Sequence, residues 1–350
     1  MIDLNFYNGR KVLITGHTGF KGSWMSVVLV NKGASVIGYS LEAEDDPNLF
    51  DLCGVRNQIE HVTGDIRDFD KLSETFSKFQ PEIVIHMAAQ PLVRKSYEEP
   101  LYTYSTNVMG TVNVLECVRL NPCVRSFLNV TTDKVYENKD LNVAFKEIDP
   151  LDGFDPYSNS KSCSELVTHS YKNSFFGAGK TAISTARAGN VIGGGDFARD
   201  RIIPDCVRAA VADKDIVVRN PYSTRPYQHV LEAVMAYLMI AEAQYDNSEV
   251  SGYYNIGPEL DDCYETGRLV DTFIKYWGGD LKRVDACAGG PHEAGFLRLD
   301  CTKVKQTFNW HPKWNLDVAL RKTVEWTKCW AEGGDVRNCM DAQISEYINE

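Results

Sequence analysis

An acidic chain of 350 residues with a formal net charge of -11 is poorly matched to a phosphate backbone, which argues against nucleic-acid binding. Its 43% hydrophobic and 24% charged residues leave room for a large core, and the length suggests two domains or one with a sizeable appendage. Seven histidines without close pairs and ten cysteines without a C-x-x-C spacing show no zinc pattern, so no metal is expected and buried thiols in a reducing compartment are.

In chain order, the N-terminal MIDLNFYNGRK lacks the apolar core of a signal peptide. The longest apolar run, near Trp24 to Val30, is too short to span a bilayer, and a cytoplasmic protein is expected. Lys11 to Gly22, KVLITGHTGFKG, opens with a strand at Val12–Ile14 and breaks into Gly16, Gly19 and Gly22 before a helix from Ser23 to about Lys32, ended by Gly33. A glycine turn between strand and helix lets backbone N–H groups approach a pyrophosphate at the positive end of the helix. Strands are then predicted at 35–39, 59–63, 83–88, 126–130 and 181–186, with helices at 71–79, 102–120, 157–175 and 230–244. Alternation of short apolar strands with helices implies an α/β protein with a Rossmann-type doubly wound parallel sheet, whose ligands lie at the carboxyl ends of the strands. Beyond residue 187 the pattern loosens into segments rich in arginine, proline and tyrosine. The expected division is a dinucleotide-binding domain over 1–186, with a return of the chain near 226–256, and a smaller, mainly substrate-binding part over 187–350.

Two groupings carry chemistry. Tyr157 and Lys161 stand four apart at the start of a helix and share one face. An ammonium beside a phenol favours the phenolate, which is a competent base for an alcohol; an exposed helix face is the alternative. The end of the fifth strand reads Thr131, Thr132, Asp133, Lys134, Val135, Tyr136, a run of hydroxyl, carboxylate and amine suited to proton transfer. A polar turn capped by Asp133 is the alternative there.

Together, T-G-x-x-G-x-x-G at Thr15–Gly22, the strand end at Asp65, Ala88-Ala89, Asn107 and Tyr157/Lys161 resemble the extended short-chain dehydrogenase/reductase superfamily. More closely, the chain resembles the nucleotide-sugar 4,6-dehydratases and, among them, the branch that acts on CDP-glucose. Nearly the whole chain carries this likeness, through GHTGFKGSW from Gly16, HMAAQPLVR from His86, YSTNVMGTV from Tyr104, TTDKVYEN from Thr131, DPYSNSK from Asp155, RAGNVIGGGDFARDRIIPD from Arg187 and RNPYSTRPYQHVLE from Arg219.

The resemblance implies a hydro-lyase with NAD recycled in each turnover. Tyr157, aided by Thr132 and Lys161, would take the proton of the sugar 4-hydroxyl as hydride leaves C4. The new carbonyl acidifies the C5 hydrogen, an acid protonates the departing 6-hydroxyl, and hydride returns to C6. Relatives that act on dTDP-glucose carry Asp-Glu as acid and base, whereas this chain has Asp133-Lys134. Lys134 could serve as base only in its neutral form; stabilising the enolate is its other possible role.

By the same resemblance, NAD would contact Gly16, His17, Gly19, Phe20, Lys21, Gly22, Ser40, Asp65, Ile66, Ala88, Ala89 and Asn107 besides Tyr157 and Lys161. Ser40 occupies the place where an acid commonly holds the adenosine ribose. The acidic loop of Glu42, Glu44, Asp45 and Asp46 nevertheless disfavours an extra phosphate, so NAD is expected rather than NADP. Lys21 would repel an oxidised nicotinamide, which predicts tighter binding of NADH than of NAD; a lysine turned to solvent is the alternative. Asn190, Arg219 and Arg225, with Arg94, Arg201 and His229, would face the nucleotide diphosphate of CDP-glucose. A homodimer or homotetramer formed through the long helices near Tyr102 and Tyr157, and a product destined for dideoxyhexoses of bacterial surface polysaccharide, complete what the likeness implies. A 4-epimerase and a non-catalytic sensor on the same fold are the rivals.

Overall fold

The computed structural model describes residues 2–43, 46–177, 181–286 and 295–350. Glu44 and Asp45 of the acidic loop lie outside them. Seven parallel strands form the central sheet: β1 (Lys11–Thr15), β2 (Ser35–Ser40), β3 (Glu60–Thr63), β4 (Ile83–His86), β5 (Ser126–Thr132), β6 (Ala182–Ala188) and β7 (Tyr253–Ile256). Their order is β7-β6-β5-β4-β1-β2-β3. The order reverses between β1 and β4, and such a switch point opens a crevice beyond the strand ends. The strands are short apolar runs because helices cover both faces: β4, β5 and β6 are buried at every position.

On one face, α1 (Phe20–Asn31) and α6 (Val230–Asp246) pack with the C-terminal α9 (Val336–Asn349) around Trp24, Val234, Met340 and Ile344. On the other, α2 (Phe69–Phe79), α3 (Gly110–Leu120) and α4 (Pro156–Phe175) cover Leu13, Val84 and Phe127, with Phe76, Val114 and Leu115 buried among them. A separate apolar cluster joins α5 (Ile202–Val211), α7 (Thr266–Trp277) and α8 (Leu316–Ala331) through Val207, Phe273 and Leu320. The α4 start is set locally: the Asp155 carboxylate accepts from the Ser158 N–H at 2.9 Å, and Pro156 fills the first turn.

Three differences from the sequence reading bear on the site. The helix expected over 102–120 is broken, with Pro100–Tyr104 passing through a π turn at Ser105–Met109 into α3. The first helix begins at Phe20, so Lys21 and Gly22 lie in its first turn. β7, which had no predicted strand of its own, extends the sheet beside β6. No helix among the described residues is long and apolar enough to cross a membrane.

Candidate active site

A single cavity of about 620 Å³ runs along the strand ends from Ser40 and Asp65, past the glycine turn and β5, to Arg219 and Arg225. Of the site residues named from the sequence, all but His17, Asn107 and His229 line it.

Close approach dictates the glycines. Gly16 has φ +78°, and a Cβ there would sit 2.8 Å from the Ala88 nitrogen. At Gly22 a Cβ would lie 2.3 Å from the Gly16 oxygen, so a side chain would push the turn away from the helix. The backbone at the α1 N-terminus therefore stays bare toward the cavity, a cradle that suits a pyrophosphate. Ser40 shares a 2.9 Å hydrogen bond with Thr18, and Arg67 is paired with Asp65 at 2.6 Å.

His17 corrects the cofactor reading. Its ring turns inward beneath Gly38, where a Cβ would be 2.3 Å away, and its Nε2 meets His61 Nδ1 at 2.7 Å. Burial, with His61 alongside, pushes its pKa down to about 3, so it is a neutral core histidine. Asn107 is a second correction. It lies in the π turn with 1% exposure, accepts from Gln90 N at 2.9 Å and donates to Gln90 O and to Ser160 Oγ at 2.9 Å. Asn107 therefore ties the β4 end to α4 and acts by positioning. His229 is the third: pairing of Gln228–His229 with Val191–Ile192 turns its ring to the core, edge-on to Trp24 and Trp314. It is fully buried, and burial pushes its pKa down to about 3.

The reactive end is built on β5 and α4. Asp133, 1% exposed, accepts from Thr132 Oγ at 3.0 Å and from Lys134 Nζ at 3.3 Å, both at Oδ1. Its Oδ2 is buried without a hydrogen-bond partner. Lys134 also donates to Asn190 Oδ1 at 3.5 Å. Thr132 faces the phenol of Tyr157. Without a dinucleotide beside it, burial pushes the Tyr157 phenol up to about 12, with Thr132 and Arg201 pulling the other way. Lys161 donates to Val130 O at 3.3 Å, and its own pKa is pushed down to about 8 by burial against the support of Glu165. Lys21 points inward, not to solvent. Burial first, then Lys161 and Arg201, lower it to about 7, opposed by Asp133 and Asp196, and its Nζ lies 5.6 Å from the Tyr237 ring centre.

Sequence reasoning missed a buried support behind these groups. Glu165, one turn after Lys161, accepts from Thr131, Thr185 and Arg187, the last at 2.8 Å, and Arg187 reaches the Tyr136 hydroxyl. It also missed the carboxylates that hold the cavity's arginines. Asp196 binds Arg201 at 3.0 Å, and Asp200 binds Arg219 at 2.9 Å. The alternating charges of Asp196-Phe197-Ala198-Arg199-Asp200-Arg201 were the available signal. The glycines at 193–195 serve packing: a Cβ at Gly194 would sit 2.1 Å from Trp326, and its carbonyl accepts from the Trp24 indole at 3.0 Å.

Comparison with known proteins agrees with this architecture. Residues 13–323 match the family described as GDP-mannose 4,6 dehydratase. A CDP-glucose 4,6-dehydratase of Salmonella typhimurium is 45% identical over 100% of this chain and 99% of its own length. A probable dTDP-glucose 4,6-dehydratase of Sinorhizobium fredii is 28% identical over 90% of this chain and 92% of its own. The crystal structure of a dTDP-glucose 4,6-dehydratase from Bacillus anthracis in complex with NAD superimposes with a TM-score of 0.76, covering 93% of this chain and 99% of that one at 22% identity, and so shares the fold. With the family's pattern running from β1 into α8, the chain belongs to the GDP-mannose 4,6 dehydratase family.

Proposed function

We propose that this protein is a CDP-glucose 4,6-dehydratase that converts CDP-D-glucose to CDP-4-dehydro-6-deoxy-D-glucose and water. The observation that carries the reading is that Thr132, Asp133, Lys134, Tyr157 and Lys161 all line one cavity, with Thr132 joined to Asp133 and to the Tyr157 phenol, in a chain 45% identical along its length to a protein of that name. NAD, for which the bare glycine turn is a fitting cradle, would accept hydride from C4 and return it to C6. Thr132 and Tyr157 hold the 4-hydroxyl and take its proton. Asp133 is placed to hand a proton to the departing 6-hydroxyl. Lys134, 3.3 Å from that carboxylate, acts at C5. Arg94, Arg219 and Arg225 line the cavity and hold the CDP moiety together with Asn190, which accepts from Lys134 at 3.5 Å beside the reactive groups.

This reading divides the chain into a dinucleotide-binding part over 1–186, with the return near 226–256, and a mainly substrate-binding part over 187–350. It places the protein in the cytoplasm, as a homodimer or homotetramer supplying dideoxyhexose synthesis for surface polysaccharide. Exposed Leu101, Met109 and Leu166, on the helical segments that would pair, support the self-association.

The test is mass spectrometry of CDP-, dTDP-, UDP- and GDP-hexoses after separate incubation with the protein and NAD. Loss of one water from CDP-glucose is expected. Isomerisation without a mass change would replace the proposal with a 4-epimerase, and an unreacted substrate in every tube would leave a sensor.

A further inference from the structure

The arginines of the far wall are not bare, and the carboxylate that holds two of them has an unusual position. Asp200 lies just before α5 with φ +59°, a left-handed backbone that few side chains other than aspartate and asparagine adopt readily. Its Oδ1 accepts from Arg219 Nη1 at 2.9 Å and stands 3.8 Å from Arg94 Nε. Arg94 belongs to the helix Val93–Glu98 that follows β4 in the sheet domain. Arg219 follows the strand Ile216–Val218, part of the separate cluster around α5 and α7. All three residues line the cavity, so one carboxylate oxygen stands between two of its cations, one from each part of the fold.

We propose that Asp200 is an internal stand-in for the substrate's diphosphate, which must displace this carboxylate to reach Arg219 and Arg94. The proposal rests on the reading of the site given above. Three observations favour an exchangeable partner over a fixed brace. The pair is open to solvent, with side-chain exposures of 37% for Arg219 and 44% for Asp200, a setting in which ion pairs contribute little. By contrast, Arg201 is held by Asp196, whose side chain is 5% exposed, a pair built to stay. Asp200 also satisfies its partners incompletely. Arg94 Nε is buried with no hydrogen-bond partner, and a planar guanidinium is better matched by the two charged oxygens of a phosphate.

A tethered competitor of this kind keeps both arginines ordered and neutralised in the empty site. It also returns as a nucleoside diphosphate leaves, which lowers affinity and speeds release. Its effect depends on the phosphates and is absent for the nucleoside alone.

Calorimetric titration of the purified protein with CDP, CMP and cytidine tests this in the wild type and in Asp200→Asn. The amide keeps the shape and the left-handed backbone but loses the charge; Asp200→Gly is the second version should the first fold poorly. CDP is expected to bind about five- to tenfold more tightly to either variant, cytidine equally, and the gain to vanish when Arg219→Met is added. Asp205→Asn removes the same charge nearby, where the carboxylate also pairs with Arg208 and stands 3.7 Å from Arg219; it should give a much smaller gain. Unchanged CDP affinity in the Asp200 variants, or an equal gain from Asp205→Asn, would overturn the stand-in. A wild type that binds CDP no better than cytidine, with Arg219→Met without effect, would instead remove the nucleotide-diphosphate reading of the site itself.

Discussion

At the end of β5, Lys134 and Thr132 converge on one oxygen of Asp133 while the other faces the Gly189 backbone, 3.1 Å from where a Cβ would be. A nearly fully buried carboxylate held in this way suits a residue that must give and regain a proton during turnover. In the Lys134→Ala variant, oxidation at C4 should persist while incorporation of solvent deuterium at C5 falls on the order of a hundredfold, the usual contribution of a placed proton-transfer group. Undiminished incorporation would take Lys134 out of the base role. Asp133→Asn should lose water elimination and recover it with substrates bearing a better leaving group at C6. Lys21 provides a pH signature. Because its pKa is lowered to about 7, it is charged below and neutral above that pH. Repulsion of an oxidised nicotinamide should therefore fade from about pH 6 to pH 8, and the preference for NADH over NAD should shrink with it. Fluorescence titrations of both forms would show this, and Lys21→Ile should show no such trend.

Turns and helix ends, more than any long helix, set the shape of the cavity. The β1–α1 turn closes because Gly16 and Gly22 let backbones meet at distances that a methyl group forbids. Gly22→Ala would place its Cβ 2.3 Å from the Gly16 oxygen and 2.6 Å from His17 Cα, both backbone atoms that cannot swing away. The variant should lose dinucleotide binding and about 1–3 kcal/mol of stability, measured by NADH titration and denaturant unfolding. The π turn at Ser105–Met109 places Asn107 between Gln90 and Ser160, and a regular helix would shift that side chain away from one of its partners.

Across the whole molecule, the C-terminal helix closes the core beneath α1. Tyr347 donates to Glu232 Oε2 at 2.7 Å, and the Lys313 and Trp314 amides donate to Oε1 at 2.9 and 2.7 Å. Burial still outweighs these bonds and raises the Glu232 carboxyl to about 7 from an ordinary 4.5. The unfolded chain thus releases this proton earlier than the native one. Stability should fall as pH rises from about 4.5 to about 7 and lose nothing more from this group above that. The penalty is on the order of 3 kcal/mol. Glu232→Gln keeps the acceptor for both amides without the charge, so its melting temperature should decline less than that of the wild type over this interval. Parallel declines would remove Glu232 as the cause.

How much of this was legible beforehand differs by feature. The parallel sheet, the glycine turn, the Thr132-Asp133-Lys134 run and the Tyr157/Lys161 pair could be read from the chain because each depends on local period or spacing. A buried strand needs a short apolar run, a bare turn needs glycine, and two side chains four apart on a helix share a face whatever surrounds them. His17, Asn107 and His229 could not be read that way: each lies in or beside a site motif, yet packing directs its side chain into the core or to a neighbouring element. The same holds for Tyr157, whose motif names the phenol while burial raises its pKa, and for Arg94 and Arg219, whose partner Asp200 is remote from both in sequence. Pattern along the chain thus determined which backbone and which reactive groups are present. Which way each side chain points, what it meets and how water is excluded around it were decided by tertiary structure, because those depend on atoms brought together only when the sheet and its helices close.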